Sequence, residues 1–123
     1  MPLYTVSTQR GVLSDAAKCE LAAHLTALHC ELVALPRGWV HIIFQDYSAG
    51  SGFTGGDPSA AVALTLLIRM GQAPEYSHRL LQRLWDALQQ ATGAPDDQIV
   101  IGIQEVPAGQ VMEKGQIMPD TRQ

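Results

Sequence analysis

Phe44-Gln45-Asp46-Tyr47-Ser48-Ala49-Gly50 lines up with Ile103-Gln104-Glu105-Val106-Pro107-Ala108-Gly109, a displacement of 59 positions. The same displacement pairs Pro36 with Pro95 and Gly56 with Gly115. A displacement of about 60 sets the Arg10-Gly11 turn on Met70-Gly71. Recurrence at one spacing marks a duplicated supersecondary unit, so each half of the chain reads as one copy of the same fold element. The copies span about 2–57 and 60–118 of a single domain covering residues 1–123.

Working outward from that pair, each copy begins with a β-rich run, Leu3 to Thr8 and Ala61 to Ile68. A glycine turn follows, and then a helix. Leu21, Leu25, Leu28 and Leu32 make one apolar stripe, and Leu80, Leu84, Leu88 and Ala91 make the other, with Leu81 and Trp85 beside it. This is the 3.6-residue period of a half-buried helix. Ser14 or Asp15 suits the N-cap of the first helix, and Pro74 suits the first turn of the second. A second strand closes each unit, Trp39 to Phe44 and Gln98 to Ile103. Ser48 to Asp57 reads as a Gly/Ser-rich loop, and Val111 to Met118 as a short hairpin around Gly115.

Each unit is therefore β-α-β, with parallel strands and a right-handed crossover. The fold expected is α/β (α+β): a four-stranded sheet with two helices on one face. The other face is left bare, and in a chain this small a bare sheet face points to an oligomer interface.

Bulk composition narrows the function. The chain is 46% hydrophobic and 16% charged, enough apolar material for a core. Net charge is -4, with no basic stretch to neutralise phosphates, which argues against nucleic acid as a partner. No apolar run reaches the roughly 18 residues of a membrane span, and the opening residues lack signal-peptide character, so a cytoplasmic location is expected. Cys19 and Cys30 fall on one helix, too far apart to bridge, and metal-ligand spacing is absent. Ser51 to Gly56 lacks the Gly-Lys-Ser/Thr ending of a phosphate-binding loop.

A tandem β-α-β chain that opens Met-Pro resembles the tautomerase superfamily, and within it the cis-3-chloroacrylic acid dehalogenase group. The residues that carry the resemblance are Met1-Pro2, Phe44 to Gly50 through Gly55-Gly56, Val106-Pro107-Ala108-Gly109-Gln110-Val111-Met112-Glu113-Lys114-Gly115, and Met118-Pro119. The resemblance implies an N-terminal proline as catalytic acid/base, no cofactor, no metal, and a homotrimer. It places the catalytic proline on Pro2, the helix histidine on His29, the first arginine on Arg69 and the C-terminal glutamate on Glu113. The group's second arginine falls on Gln72 and its tyrosine on Gly102.

The chemistry of these residue types fits such a site. A free proline amine is a secondary base on a rigid ring, and burial or a nearby cation lowers its pKa toward neutrality, where acid/base catalysis works best. Arg69 ends a strand, where a guanidinium can grip a carboxylate in a bidentate pair. Gln72 can hydrogen-bond a carboxylate without charge, at a cost of about tenfold in binding. His41 alternates with Trp39 and Ile43 and is a candidate to reach substrate, as a cationic residue of this strand does in other tautomerases, although pairing on a strand face explains it better. Glu113 would direct water, and His29 sits at the border of its stripe.

The expected activity is tautomerisation of an anionic enol or dienol carboxylate such as a 2-hydroxydienoate or phenylenolpyruvate. The alternative is a hydratase or dehalogenase of 3-haloacrylate-like acids. A third reading is a binding protein that kept the fold and lost the chemistry. Every catalytic version requires removal of Met1, because an acylated proline nitrogen is an amide with no basic lone pair.

Overall fold

The computed structural model describes residues 1–71 and 73–119. The long elements are β1 (Leu3–Gln9), α1 (Asp15–Leu32) and β2 (His41–Tyr47). A two-residue pair follows, β3 (Phe53–Thr54) and β4 (Asp57–Pro58). The second half repeats the plan with β5 (Val62–Arg69), α2 (Pro74–Thr92), β6 (Ile99–Val106), β7 (Met112–Glu113) and β8 (Gln116–Ile117).

The four long strands form one sheet in the order β2-β1-β5-β6. β1 runs parallel to β2 with Leu3 against His41, and β5 parallel to β6 with Val62 against Ile99. The two units meet antiparallel through β1 and β5, with Thr5 opposite Thr65. Both helices pack on one face of this sheet. Alternation assigns the faces: Tyr4, Val6 and Thr8 of β1 and Val62, Leu64, Leu66 and Ile68 of β5 are buried beneath Leu21, Leu25, Leu28, Leu80, Leu84 and Leu88 of the helices. The stripes read from the sequence are the packed ones, with Leu32, Trp85 and Ala91 half-buried at their edges.

Local chemistry sets the element ends. The Ser14 hydroxyl accepts from Ala17 N–H at 3.1 Å and caps α1, while Pro74 occupies the first turn of α2. Gly93 ends α2 in the left-handed region at φ 69°. Trp39 and Gln98, expected as the first residues of strands, instead end short 3-10 turns, Arg37–Trp39 and Asp96–Gln98. Each turn follows a proline, Pro36 or Pro95, whose fixed φ starts the turn and delays the strand. The stretch from Ser48 to Asp57, expected as a plain loop, contains the β3–β4 ladder. It is the counterpart, one repeat earlier, of the β7–β8 ladder.

The opposite sheet face carries Leu3, Thr5, Ser7, Ile43, Gln45, Ala63, Thr65, Leu67, Val100, Gly102 and Gln104, with His41 and Arg69 at the end of the sheet where β2 begins and β5 ends. Ile43 and Val100 are 52% and 71% exposed there. No helix of the described residues is long and apolar enough to cross a membrane. Cys19 and Cys30 are both free, as their spacing on α1 requires.

Candidate active site

β1 brings the chain's N-terminus to the edge of a cleft of about 620 Å³ whose walls include Pro2, Trp39, His41, Leu67, Glu113 and Lys114. Backbone pairing fixes the floor: His41 N–H donates to the Pro2 carbonyl at 3.0 Å, so Pro2 is locked beside the start of β2. The Pro2 side chain is fully buried. The β7–β8 hairpin folds over the cleft and supplies Glu113 and Lys114.

The terminal amine lies in this environment. In the chain carrying Met1 that amine is Met1's, and it forms an ion pair with Glu113 Oε1. Burial, then the charge of Arg69, then that of Lys114 lower the amine from 8.0 to about 6, although the Glu113 carboxylate favours its charged form. The Pro2 nitrogen, one residue on, is an amide while Met1 is present. Glu113 Oε2, whose partner oxygen holds the amine, is buried without a hydrogen-bond partner among the described residues, and so is Arg69 Nε, whose charge acts on the amine although Arg69 is not among the residues lining the cleft. Buried polar groups are normally satisfied, so the unmatched Glu113 oxygen next to the amine marks a place where a polar ligand or water belongs. Arg69 Nη1 meanwhile donates to the Pro119 carbonyl at 2.8 Å, which holds the guanidinium at the end of β5.

His29 differs from its sequence reading. It stands not at the border of the stripe but inside it, 3% exposed, with Nδ1 2.6 Å from the Tyr4 hydroxyl and the two rings edge-to-face at 5.6 Å. Burial, then the nearby terminal ammonium, push His29 down to about 4, so it is neutral at physiological pH. Burial pushes the Tyr4 hydroxyl upward, so it stays protonated.

Sequence reasoning thus singled out Pro2, Glu113 and His41, which share the cleft, and Arg69 and His29, whose charges act on its amine or feel it. Gln72 lies outside the described residues. Gly102 sits mid-strand in β6 opposite Thr65, on the bare face and with open space where a side chain would stand. Tyr4, Trp39 as a cleft wall, and Lys114 were not identified as site residues. Tyr4 and His29 belong to one pair only because β1 and α1 pack, a contact 25 residues apart in sequence. For Lys114 the available signal is its placement between Glu113 and Gly115 at the turn of the expected hairpin. Among the described residues no cluster of His, Cys, Asp and Glu is arranged to hold a metal ion.

Comparison with known proteins places these features in context. A family model described as a putative oxalocrotonate tautomerase enzyme matches residues 1–123. No curated protein matches the sequence. Among solved structures, the crystal structure of native Ps01740 is similar at 30% identity and a TM-score of 0.87, over 90% of this chain and 99% of that one. N1, a member of the cis-3-chloroacrylic acid dehalogenase family, is 26% identical with a TM-score of 0.88, over 96% of this chain and 84% of its own. A fused 4-OT crystallised as a symmetric trimer shares the fold, with a TM-score of 0.84 at 20% identity over 94% of each chain.

Proposed function

The chain belongs to the tautomerase superfamily, and from that premise we propose that it is a cofactor-independent tautomerase acting on enol or dienol carboxylates through the amine of Pro2 after removal of Met1. The observation that carries this reading is the environment of the terminal amine: partly buried, touched by the Glu113 carboxylate, and lowered to about 6 with Arg69 and Lys114 among the causes. Removing Met1 moves the free amine onto the Pro2 ring at the wall of the same cleft. There Arg69 binds the substrate carboxylate, its unmatched Nε completing a bidentate pair. The neutral Pro2 nitrogen takes the enol hydroxyl proton, and a proton is delivered to carbon. Neutral His29 cannot supply a cation, so its part is a hydrogen bond. Gln72 would assist at the carboxylate and His41 at the cleft wall.

The second reading, a hydratase or dehalogenase of 3-haloacrylate-like acids, has one observation in its favour: Glu113 Oε2 is free to orient a water. It ranks lower because the positions of the second arginine and the tyrosine hold Gln72 and Gly102.

A panel of phenylenolpyruvate, a 2-hydroxydienoate and cis-3-chloroacrylate tests the reading. We expect enol turnover well above halide release, and a loss of about 10²- to 10⁴-fold in Pro2→Ala, the usual worth of a general acid/base. Intact-mass measurement should show the active preparation without Met1. Full-rate enol turnover by a preparation that retains Met1 would overturn the role of Pro2.

A further inference from the structure

In the chain that carries Met1, this first residue is packed into the cleft. Its side chain is 9% exposed and forms part of the cleft wall. Terminal residues are ordinarily loose unless something ties them down. Here there are three ties. The ammonium pairs with Glu113 Oε1, the Met1 side chain is covered, and Pro2 is fully buried with its carbonyl accepting from His41 N–H at 3.0 Å.

The Met1–Pro2 peptide bond lies between these ties. A methionine-specific aminopeptidase has to take the amine, the side chain and the scissile carbonyl of Met1 into its own active site. It cannot reach them while they sit in the cleft. Access requires the N-terminus to be withdrawn, which breaks the ion pair and brings Met1 and Pro2 into water. Cleavage of a shielded bond proceeds only through the fraction of molecules that are open.

Chain order adds a time to this geometry. His41, which fixes the Pro2 carbonyl, is in the first half of the chain, but Glu113, which holds the amine, is on β7 in the last hairpin. The group that ties the amine down is therefore made near the end of synthesis. At about 5–20 residues per second, 123 residues take roughly 6–25 s. For most of that interval the N-terminus has neither Glu113 to hold it nor a hairpin folded over it.

We propose that the fold shields Met1 once the β7–β8 hairpin closes, so that each molecule is fixed during synthesis as either a Pro2 form or a blocked Met1 form. Hydrolysis breaks the Met1–Pro2 amide. Water gives its hydroxyl to the Met1 carbonyl carbon, which leaves as free methionine, and its proton to the Pro2 nitrogen. This is a regulation of the Pro2 site and rests on the reading of the free Pro2 amine as the active group, but its test reads mass and not turnover. Should Pro2→Ala turn over enols as the wild type does, that reading falls while the shielding result stands.

The full chain is produced in cells whose methionine aminopeptidase is inhibited, purified with Met1 in place, and incubated with a purified methionine-specific aminopeptidase. Intact mass against time reports the loss of methionine. The free peptide Met-Pro-Leu-Tyr-Thr-Val, the opening residues of the chain, is the accessible reference. The peptide should lose methionine at least about a hundredfold faster than the folded chain. Glu113→Gln keeps the size of the side chain and removes the charge that holds the amine, so this variant should be processed about tenfold faster than the wild type. A folded wild type processed within about threefold of the peptide would overturn the proposal without recourse to any variant. So would a Glu113→Gln chain, folded by circular dichroism, that is no faster than the wild type. If that variant does not fold, it should lose methionine at the rate of the peptide, and resistance in the unfolded chain would equally overturn shielding by the fold.

Discussion

At the scale of single residues, the Tyr4–His29 pair is a buried polar contact of the core whose histidine feels the charge of the terminal amine. The 2.6 Å contact is assigned with the tyrosine hydroxyl donating to Nδ1, because the reverse would leave the tyrosine proton unmatched in a buried place. That leaves the ring's hydrogen on Nε2 and fixes the tautomer. Tyr4→Phe removes a donor that favours the neutral ring, so His29 should titrate above its present value of about 4, readable from imidazole NMR signals against pH. The same variant should cost about 1 kcal/mol of stability. An unchanged titration would mean the hydroxyl does not hold the ring. The terminal amine gives a second pH dependence. Under the proposed mechanism the neutral Pro2 amine is the base, and the burial and the Arg69 and Lys114 charges that lower the Met1 amine act on it too, so kcat/KM should rise with pH through a limb below the ordinary range of a secondary amine. Lys114→Gln should move that limb upward, since it removes one of the depressing charges.

Among the elements, the cap of α1 is the plainest case of local chemistry deciding structure. Ser14→Ala removes the acceptor for Ala17 N–H and should cost about 1 kcal/mol in denaturant unfolding, with the m-value unchanged. A loss below a few tenths would show that packing alone sets the start of the helix. The two small hairpins teach the opposite lesson. β7–β8 is legible from Gly115, whereas the sequence of its twin β3–β4 shows only a loop. The signal was present: the 59-residue displacement already paired Gly56 with Gly115, and both have positive φ, 86° and 77°. Polar, glycine-rich residues hid it, because two-residue strands are too short to show alternation.

For the whole molecule, the sheet face not covered by the helices is the dominant feature. A face whose middle presents Ile43, Leu67 and Val100, with Arg69 only at the end of β5, is poorly suited to water. We expect a homotrimer built on this face, and sedimentation should find it at micromolar concentration. Thr65 lies exposed in the middle strand pair of that face, so Thr65→Arg leaves the core untouched while placing like charges in the interface. The variant should sediment as a folded monomer. A wild type that is already monomeric, or a Thr65→Arg variant still assembled, would remove the face from that role.

The repeat, the two helix stripes and the four long strands were determined by sequence, because apolar periodicity and turn residues are local and survive duplication. Pro2, Arg69 and Glu113 could be named there too, through residues that match a family's motifs. Only the tertiary structure decided that His29 is buried against Tyr4, that Lys114 rests on Trp39, and that Glu113 reaches the terminal amine. Each of these contacts joins residues from different elements. Its energy depends on distance and burial, quantities that no local pattern of residue types encodes and that exist only once the helices lie on the sheet and the last hairpin closes over its edge.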